Sequence, residues 1–252
     1  MPKPFDLSGR VALVTGANTG IGQGIAVALA AAGADIAAAG RSAPTETQAA
    51  VEALGRRFVS IQADFGSTEP VARVVEEAVA ALGGIDILVN NAGIIRRADS
   101  IDFSEDDWDA VMNTNLKTVF FLTQTVVKRM LTQGRGGKVI NIASLLSFQG
   151  GIRVPSYTAS KSGLAGLTKI LANEWAGKGI NVNAIAPGYF DTNNTEALRA
   201  DETRNRSILE RIPAGRWGQP GDIGGAAVFL ASSASDYVQG VTLPVDGGWL
   251  AR

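Results

Sequence analysis

Three side chains able to handle a proton stand close together in the middle of the chain. Tyr157 and Lys161, within Ser156-Tyr157-Thr158-Ala159-Ser160-Lys161, are four residues apart, and Ser144 lies thirteen residues upstream at the end of an apolar run. On a helix, positions i and i+4 share a face, so an ammonium can stand beside the phenol and ease the loss of its proton. A phenol tuned in that way serves as acid and base near neutral pH, and a neighbouring hydroxyl can orient the oxygen it works on. The 252 residues include no histidine and no cysteine, which removes the commonest proton shuttle and every thiolate mechanism. Tyr157 is therefore the best acid and base the chain offers, and no metal is called for. By itself Tyr-x-x-x-Lys is a weak pattern, because on an ordinary amphipathic helix the tyrosine packs and the lysine solvates.

The elements that must position these groups follow a simple rhythm. Short β-branched or apolar runs at 11–15, 35–39, 58–63, 85–90, 138–143, 180–186 and 241–245 alternate with helical patterns at 21–32, 68–82, 106–133, 157–176 and 222–230. Strands alternating with helices predict right-handed crossovers and a parallel sheet covered on both faces. Ser104 with Asp107 reads as a helix-start capping pair, and Pro155 suits a first helical turn. Residues 188–218 break the rhythm: they are polar, follow directly on a strand, and read as a lid or substrate loop. At 46% hydrophobic and 19% charged, the chain can form one α/β domain over residues 1–252. Net charge is −1 without a basic stripe, so neither nucleic acid nor an anionic membrane is an expected partner. Nothing reads as a signal or a membrane span, since the apolar region 25–39 is interrupted by Gly33 and Asp35. The lack of cysteine fits a reducing compartment, and the cytoplasm is the expected location.

The first strand runs directly into Thr15-Gly16-Ala17-Asn18-Thr19-Gly20-Ile21-Gly22. Glycines at a strand-to-helix turn let the backbone approach a pyrophosphate, which the helix N-terminus holds through free N–H groups and its dipole. The spacing differs from G-x-G-x-x-G, but its place in the first βα unit predicts a dinucleotide site. At the end of the second strand an acidic side chain reads a ribose 2′-hydroxyl, whereas an arginine accepts a 2′-phosphate. Here Arg41 and Ser42 follow Gly40, and the next carboxylate is Glu46. That favours NADP(H); an Arg41 that only stacks on adenine is compatible with NAD.

These motifs, together with Asn90-Asn91-Ala92-Gly93, Asn115 and Pro187-Gly188, stand in an order that resembles the short-chain dehydrogenases/reductases over essentially the full length. The resemblance implies a doubly wound Rossmann fold with seven parallel strands, a nicotinamide cofactor, and a homotetramer built on the helices around 106–133 and 157–176. It also implies roles. Tyr157 exchanges the proton with the substrate oxygen, Lys161 holds the nicotinamide ribose and lowers the Tyr157 pKa, Ser144 orients the carbonyl, and Asn115 holds a water in the proton relay. On the cofactor side it places Gly16, Asn18, Thr19, Gly20 and Gly22 in the phosphate turn with Ile21 beside the pyrophosphate. Asp64 falls at the adenine, Asn91, Ala92 and Gly93 on the adenosine side, Thr192 at the carboxamide, and Pro187 and Gly188 in the same binding set. Taken singly, Asn90 and Asn91 could cap a strand, Asn115 could bond its own backbone, and Ser144 could end a strand; jointly they fit one site.

Residues 44–47, Ile95-Arg96-Arg97, 147–155, Thr192-Asn193-Asn194-Thr195, 211–218 and 246–252 are similar to one branch of that family. This branch comprises the 2-dehydro-3-deoxy-D-gluconate 5-dehydrogenases, beside gluconate 5-dehydrogenases and 2-deoxy-D-gluconate 3-dehydrogenases. The likeness departs at 39–42, where coenzyme preference is set. A sugar acid carries a carboxylate that wants a fixed guanidinium. Arg153, four residues before Tyr157, is the first candidate clamp. Arg97 follows the Asn-Asn-Ala-Gly turn on the ligand side of the sheet, and Gln149 is placed to meet a hydroxyl. Either arginine could instead pair with a carboxylate of its own chain or of a neighbouring subunit. Trp217 and Trp249 read as packing or interface residues. The expected activity is interconversion of a secondary alcohol and a ketone on a six-carbon sugar acid. Gluconate is the nearest alternative substrate, and a catalytically silent nicotinamide-binding regulator is the alternative of another class.

Overall fold

Seven short apolar segments become strands: β1 (Val11–Thr15), β2 (Asp35–Gly40), β3 (Phe58–Gln62), β4 (Ile87–Asn90), β5 (Gly137–Ile142), β6 (Ile180–Pro187) and β7 (Thr242–Val245). In the computed structural model, which describes residues 4–252, they form one sheet in the order β3-β2-β1-β4-β5-β6-β7, every pairing parallel. Both faces are covered, which is why β1 is apolar at every position but its last and why β6 is buried throughout. Alternation divides the side chains. Val11 and Leu13 face a core completed by α3 (Val71–Leu82), α5 (Thr118–Gln133) and α6 (Pro155–Trp175). Ala12 and Val14 face one completed by α1 (Gly20–Ala31), α2 (Thr45–Ala53) and α9 (Gly224–Ala231).

The chain order reverses between β1 and β4, and at such a switch point the loops leaving the strand ends diverge and open a crevice. A buried polar chain fixes the neighbouring ends. Asn90 Nδ2 donates to Thr123 Oγ1 and to Asn141 Oδ1, both at 2.8 Å, and Asn141 Nδ2 donates to Thr168 Oγ1 at 3.0 Å. It ties β4 and β5 to α5 and α6 just before the chain reaches Asn91 and Ser144.

Three departures from the sequence pattern matter. The helix expected over 106–133 is two, α4 (Glu105–Met112) and α5, separated by a π turn at Asn113–Lys117. Helix α2 lies where the sequence pattern predicts no helix, because its residues carry no strong apolar stripe. Residues 188–218 hold α7 (Glu196–Ala200) and α8 (Glu202–Leu209), packed through Ile208, Ile212 and Trp217 against Leu145 and Trp249. The local start signals hold: Ser104 Oγ accepts the Asp107 N–H at 3.2 Å, and Pro155 opens α6.

Candidate active site

At the end of β1, Gly16 takes a left-handed backbone (φ 66°), and its N–H donates to Ala39 O at 2.8 Å. A Cβ on Gly22 would lie 2.2 Å from Gly16 O, so the turn closes only around glycine there. Asn91 clamps it from β4: Nδ2 donates to Thr15 O at 2.9 Å and Gly16 O at 3.0 Å. Thr15 Oγ1 accepts the N–H groups of Asn91 and Ala92, each at 3.0 Å. Asn91, expected on the adenosine side, thus uses its amide to shape the turn. Thr47 of α2 adds a buried bond to Ala17 O at 2.7 Å, a support that only its place in the 44–47 segment could have flagged.

Asn18 and Ile21 are half-buried along the turn and Thr19 is exposed. Thr19 makes no side-chain bond to the first turn of α1, which leaves the helix N–H groups without a cap. Thr192 comes over the turn, its methyl 3.2 Å from where a Gly20 Cβ would be, so the 188–218 segment starts above the phosphate end. A cradle that a side chain would fill, opened onto uncapped helix N–H groups, fits a pyrophosphate. Arg41 and Ser42 are exposed at the end of β2, and no ion pair or hydrogen bond engages the Arg41 guanidinium among the described residues. Asp64, after β3, is exposed and accepts the Gly66 N–H at 2.9 Å. Pro187 ends β6, and Gly188 N–H donates to Val245 O at 2.9 Å. Gly93 lies beside Asn115, whose Oδ1 would be 3.2 Å from a Gly93 Cβ.

Ser144 follows β5 in extended backbone and caps the single turn Leu145–Ser147, its Oγ accepting the Leu146 N–H at 3.2 Å. That turn is bolted to α6 by Ser147 Oγ on Lys161 O (2.7 Å) and Ser162 Oγ on Leu146 O (3.1 Å). The Ser144 hydroxyl is thereby held where it favours the ionised form of the Tyr157 phenol. Burial pushes the Tyr157 phenol above its usual range, while the Ser144 hydroxyl and then the positive charge of Arg97 pull it back. Lys161 is 5% exposed, and burial lowers its pKa from 10.5 to about 8. Lys161 Nζ is turned onto Ile142 O at 2.6 Å and stands 5.6 Å from the centre of the phenol ring.

Asn115 lies in the π turn, fully buried. Its Oδ1 accepts the Ile94 N–H at 2.8 Å, and Nδ2 donates to Ile94 O at 2.9 Å and Ser160 Oγ at 3.3 Å. The side chain clips the loop leaving β4 onto α6.

On the substrate side the arrangement differs from expectation. Arg153 pairs with Asp99 at 3.0 Å, and its carbonyl accepts the Ala98 N–H at 3.1 Å, so the first candidate clamp is instead a strap between two loops. Arg153 adopts φ 65°, a backbone that disfavours a non-glycine residue and that this pairing holds in place. Arg96 pairs with Asp107 at 3.0 Å. Arg97 is exposed and has no ion-pair partner among the described residues, although its charge reaches Tyr157. Gln149 Oε1 accepts the Trp249 indole N–H at 3.3 Å. Trp217 and Trp249 are buried in the small core under α8, as packing residues.

A doubly wound sheet with a phosphate turn at its switch point and a serine, a tyrosine and a lysine converging beyond β5 defines a nicotinamide-dependent oxidoreductase. Residues 16–250 match the family described as Enoyl-(Acyl carrier protein) reductase. The chain is 64% identical over 248 residues to the 2-dehydro-3-deoxy-D-gluconate 5-dehydrogenase of Dickeya dadantii, covering 98% of each, and 63% identical to that of Escherichia coli with the same coverage. A solved structure of a candidate 2-deoxy-D-gluconate 3-dehydrogenase from Agrobacterium tumefaciens, with bound NADP, superposes with a TM-score of 0.94 at 65% identity over the whole of both chains. The chain belongs to the short-chain dehydrogenase/reductase family.

Proposed function

We propose that this enzyme is an NADP(H)-dependent 2-dehydro-3-deoxy-D-gluconate 5-dehydrogenase, interconverting a secondary hydroxyl and a ketone on that acid. The observation that carries the substrate class is Arg97, a guanidinium without an ion-pair partner among the described residues whose charge reaches the catalytic phenol. A carboxylate set there would be held beside Tyr157 and Ser144. The names of the relatives at 63–64% identity support the same choice.

A bound nicotinamide supplies or takes the hydride. The residues of the chain manage the oxygen. Ser144 and Tyr157 form a pair of hydroxyls that fixes its position, and Tyr157 gives it a proton in reduction and removes one in oxidation. Lys161, buried and aimed along the floor of the site, would meet the nicotinamide ribose. Asn115 keeps the β4 loop and α6 in register, and Asp64, Asn91, Ala92, Gly93, Pro187, Gly188 and Thr192 line the length of the cofactor crevice. Arg41 and Ser42 favour a 2′-phosphate because no carboxylate among the described residues pairs with Arg41; NAD is the coenzyme against which this is judged. Residues 188–218 act as the substrate lid, the assembly is a homotetramer, and the cytoplasm is its location.

Initial rates on 2-dehydro-3-deoxy-D-gluconate and D-gluconate, each with NADP and NAD, test this reading. The expected outcome is turnover of the deoxy keto acid with NADP preferred, and an Arg41→Ala variant that loses about tenfold in kcat/KM with NADP but not with NAD. Preference for gluconate would replace the substrate, and equal use of both coenzymes by wild type and variant would remove the role of Arg41.

A further inference from the structure

Trp249 has no part in the site as described so far, yet its indole reaches the substrate side. The turn carrying it leaves β7 at the same end of the sheet as Ser144 and Gly188. Asp246 folds that turn back, its carboxylate accepting the N–H groups of Gly248 and Leu250, both at 2.9 Å. Trp249 is 4% exposed, tilted against Tyr189 with ring centroids 4.6 Å apart, and the Arg211 guanidinium carbon stands 4.0 Å from its ring centre. So fixed, the indole Nε1 donates to Gln149 Oε1 at 3.3 Å. Gln149 is itself tied through its backbone N–H to Leu145 O at 3.1 Å, one residue beyond Ser144.

An indole N–H can only donate, so Gln149 must turn its amide oxygen toward Trp249. Its NH2 group then faces away, and among the described residues it has no hydrogen-bond partner. We propose that Trp249 is a positioning residue that locks Gln149 as a donor toward an acceptor oxygen of the substrate. The sequence suggested a partner for a hydroxyl; the geometry points to a carboxylate. A hydroxyl both gives and accepts, whereas an ionised carboxylate only accepts, so an amide that presents only N–H groups favours the anion, as does the guanidinium of Arg97 on the loop leaving β4 at the same end of the sheet. The inference rests on the sugar-acid reading and names the side of the site that reads the acid.

Gln149→Glu is the sharpest test, because it keeps an oxygen for Trp249 and the side-chain volume while replacing both donors by a negative charge. KM for 2-dehydro-3-deoxy-D-gluconate is expected to rise about tenfold or more, with kcat moving much less and the Kd for NADP held. Trp249→Phe removes the N–H and keeps one aromatic ring for packing, at the cost of the contacts of the pyrrole ring; KM should rise about threefold, and the double variant should be no worse in KM than Gln149→Glu alone. An independent readout is the Trp249 indole resonance in a TROSY spectrum of deuterated protein. It should move in opposite directions in Gln149→Ala, which removes the acceptor, and in Gln149→Glu, which replaces it by a carboxylate. Wild-type turnover of the acid with an unchanged KM in Gln149→Glu, or a loss confined to kcat, would overturn the donor role and leave the function standing. Wild-type silence on the acid, with the indole signal still responding to Gln149→Ala, would overturn the sugar-acid reading and the donor role with it. An indole signal indifferent to Gln149→Ala would remove the positioning by Trp249.

Discussion

Lys161 is a charged side chain held where folding disfavours charge. Its pKa is lowered from 10.5 to about 8 by burial, a difference equivalent to about 3 kcal/mol against the protonated form. The sign follows from which state binds the proton. Below pH 8 both folded and unfolded chains carry the charge, and the folded state bears the whole penalty. Between pH 8 and 10.5 the folded lysine is neutral while the unfolded one is still protonated, so the penalty falls away as pH rises. Lys161→Met is therefore expected to abolish turnover yet to raise stability by about 1–3 kcal/mol at pH 7, less than the full penalty because the bond to Ile142 O is lost. Urea unfolding of both proteins from pH 7 to 10.5 checks it: the gap should close across the upper part of that range, and a variant less stable at pH 7 would refute it. Tyr157, Lys161 and Ser144 were legible from their types and spacing. The direction of Lys161 was not, because an i,i+4 spacing places two side chains on one face without saying which carbonyl the longer one finds.

Helix α4, the π turn and α5 show what periodicity can and cannot convey at the level of elements. The strands read cleanly because seven apolar runs alternate with helical ones, and all seven formed within a few residues of their expected bounds. The break at Asn113–Lys117 was invisible, since one extra residue in a helical turn leaves the apolar pattern on either side intact. Its purpose is local: it delivers Asn115 to the Ile94 backbone, where both an N–H and a C=O need partners away from solvent. Asn115→Ala is expected to cost about 2–4 kcal/mol in chemical denaturation, the range for leaving a buried donor and acceptor unmet. Asn115→Asp should recover only part of it, because a carboxylate accepts from the Ile94 N–H but gives nothing to its carbonyl. Equal stability of the alanine variant and wild type would mean that the loop leaving β4 is held by other contacts. The 188–218 segment was legible as an excursion but not as two helices, since α7 and α8 are short and polar and are ordered by their contacts with Leu145 and Trp249.

For the whole molecule the question is what covers its remaining apolar surface. Trp108 on α4, Phe121 and Leu131 on α5, and Ile170 on α6 are 40–47% exposed, although the inner sides of α5 and α6 already complete a core. A second apolar region lies at the open edge of the sheet, where Tyr237 is fully exposed ahead of β7 and Val241 is partly so. Exposed edges and large apolar side chains are ordinarily covered, and two such regions on one chain are what a closed tetramer with two kinds of twofold contact needs. A net charge of −1 offers little repulsion against that association. Wild type is accordingly expected to sediment at four chain masses. Phe121→Glu with Ile170→Glu should reduce it to two and lower turnover, because α6 carries Tyr157 and Lys161, whereas Tyr237→Glu should also give two-chain particles but leave kcat nearer wild type. Sedimentation velocity beside rate measurements separates the two faces. A monomeric wild type would dismiss the assembly outright, and a Phe121/Ile170 double variant that stays tetrameric would move the interface to surfaces other than these helices.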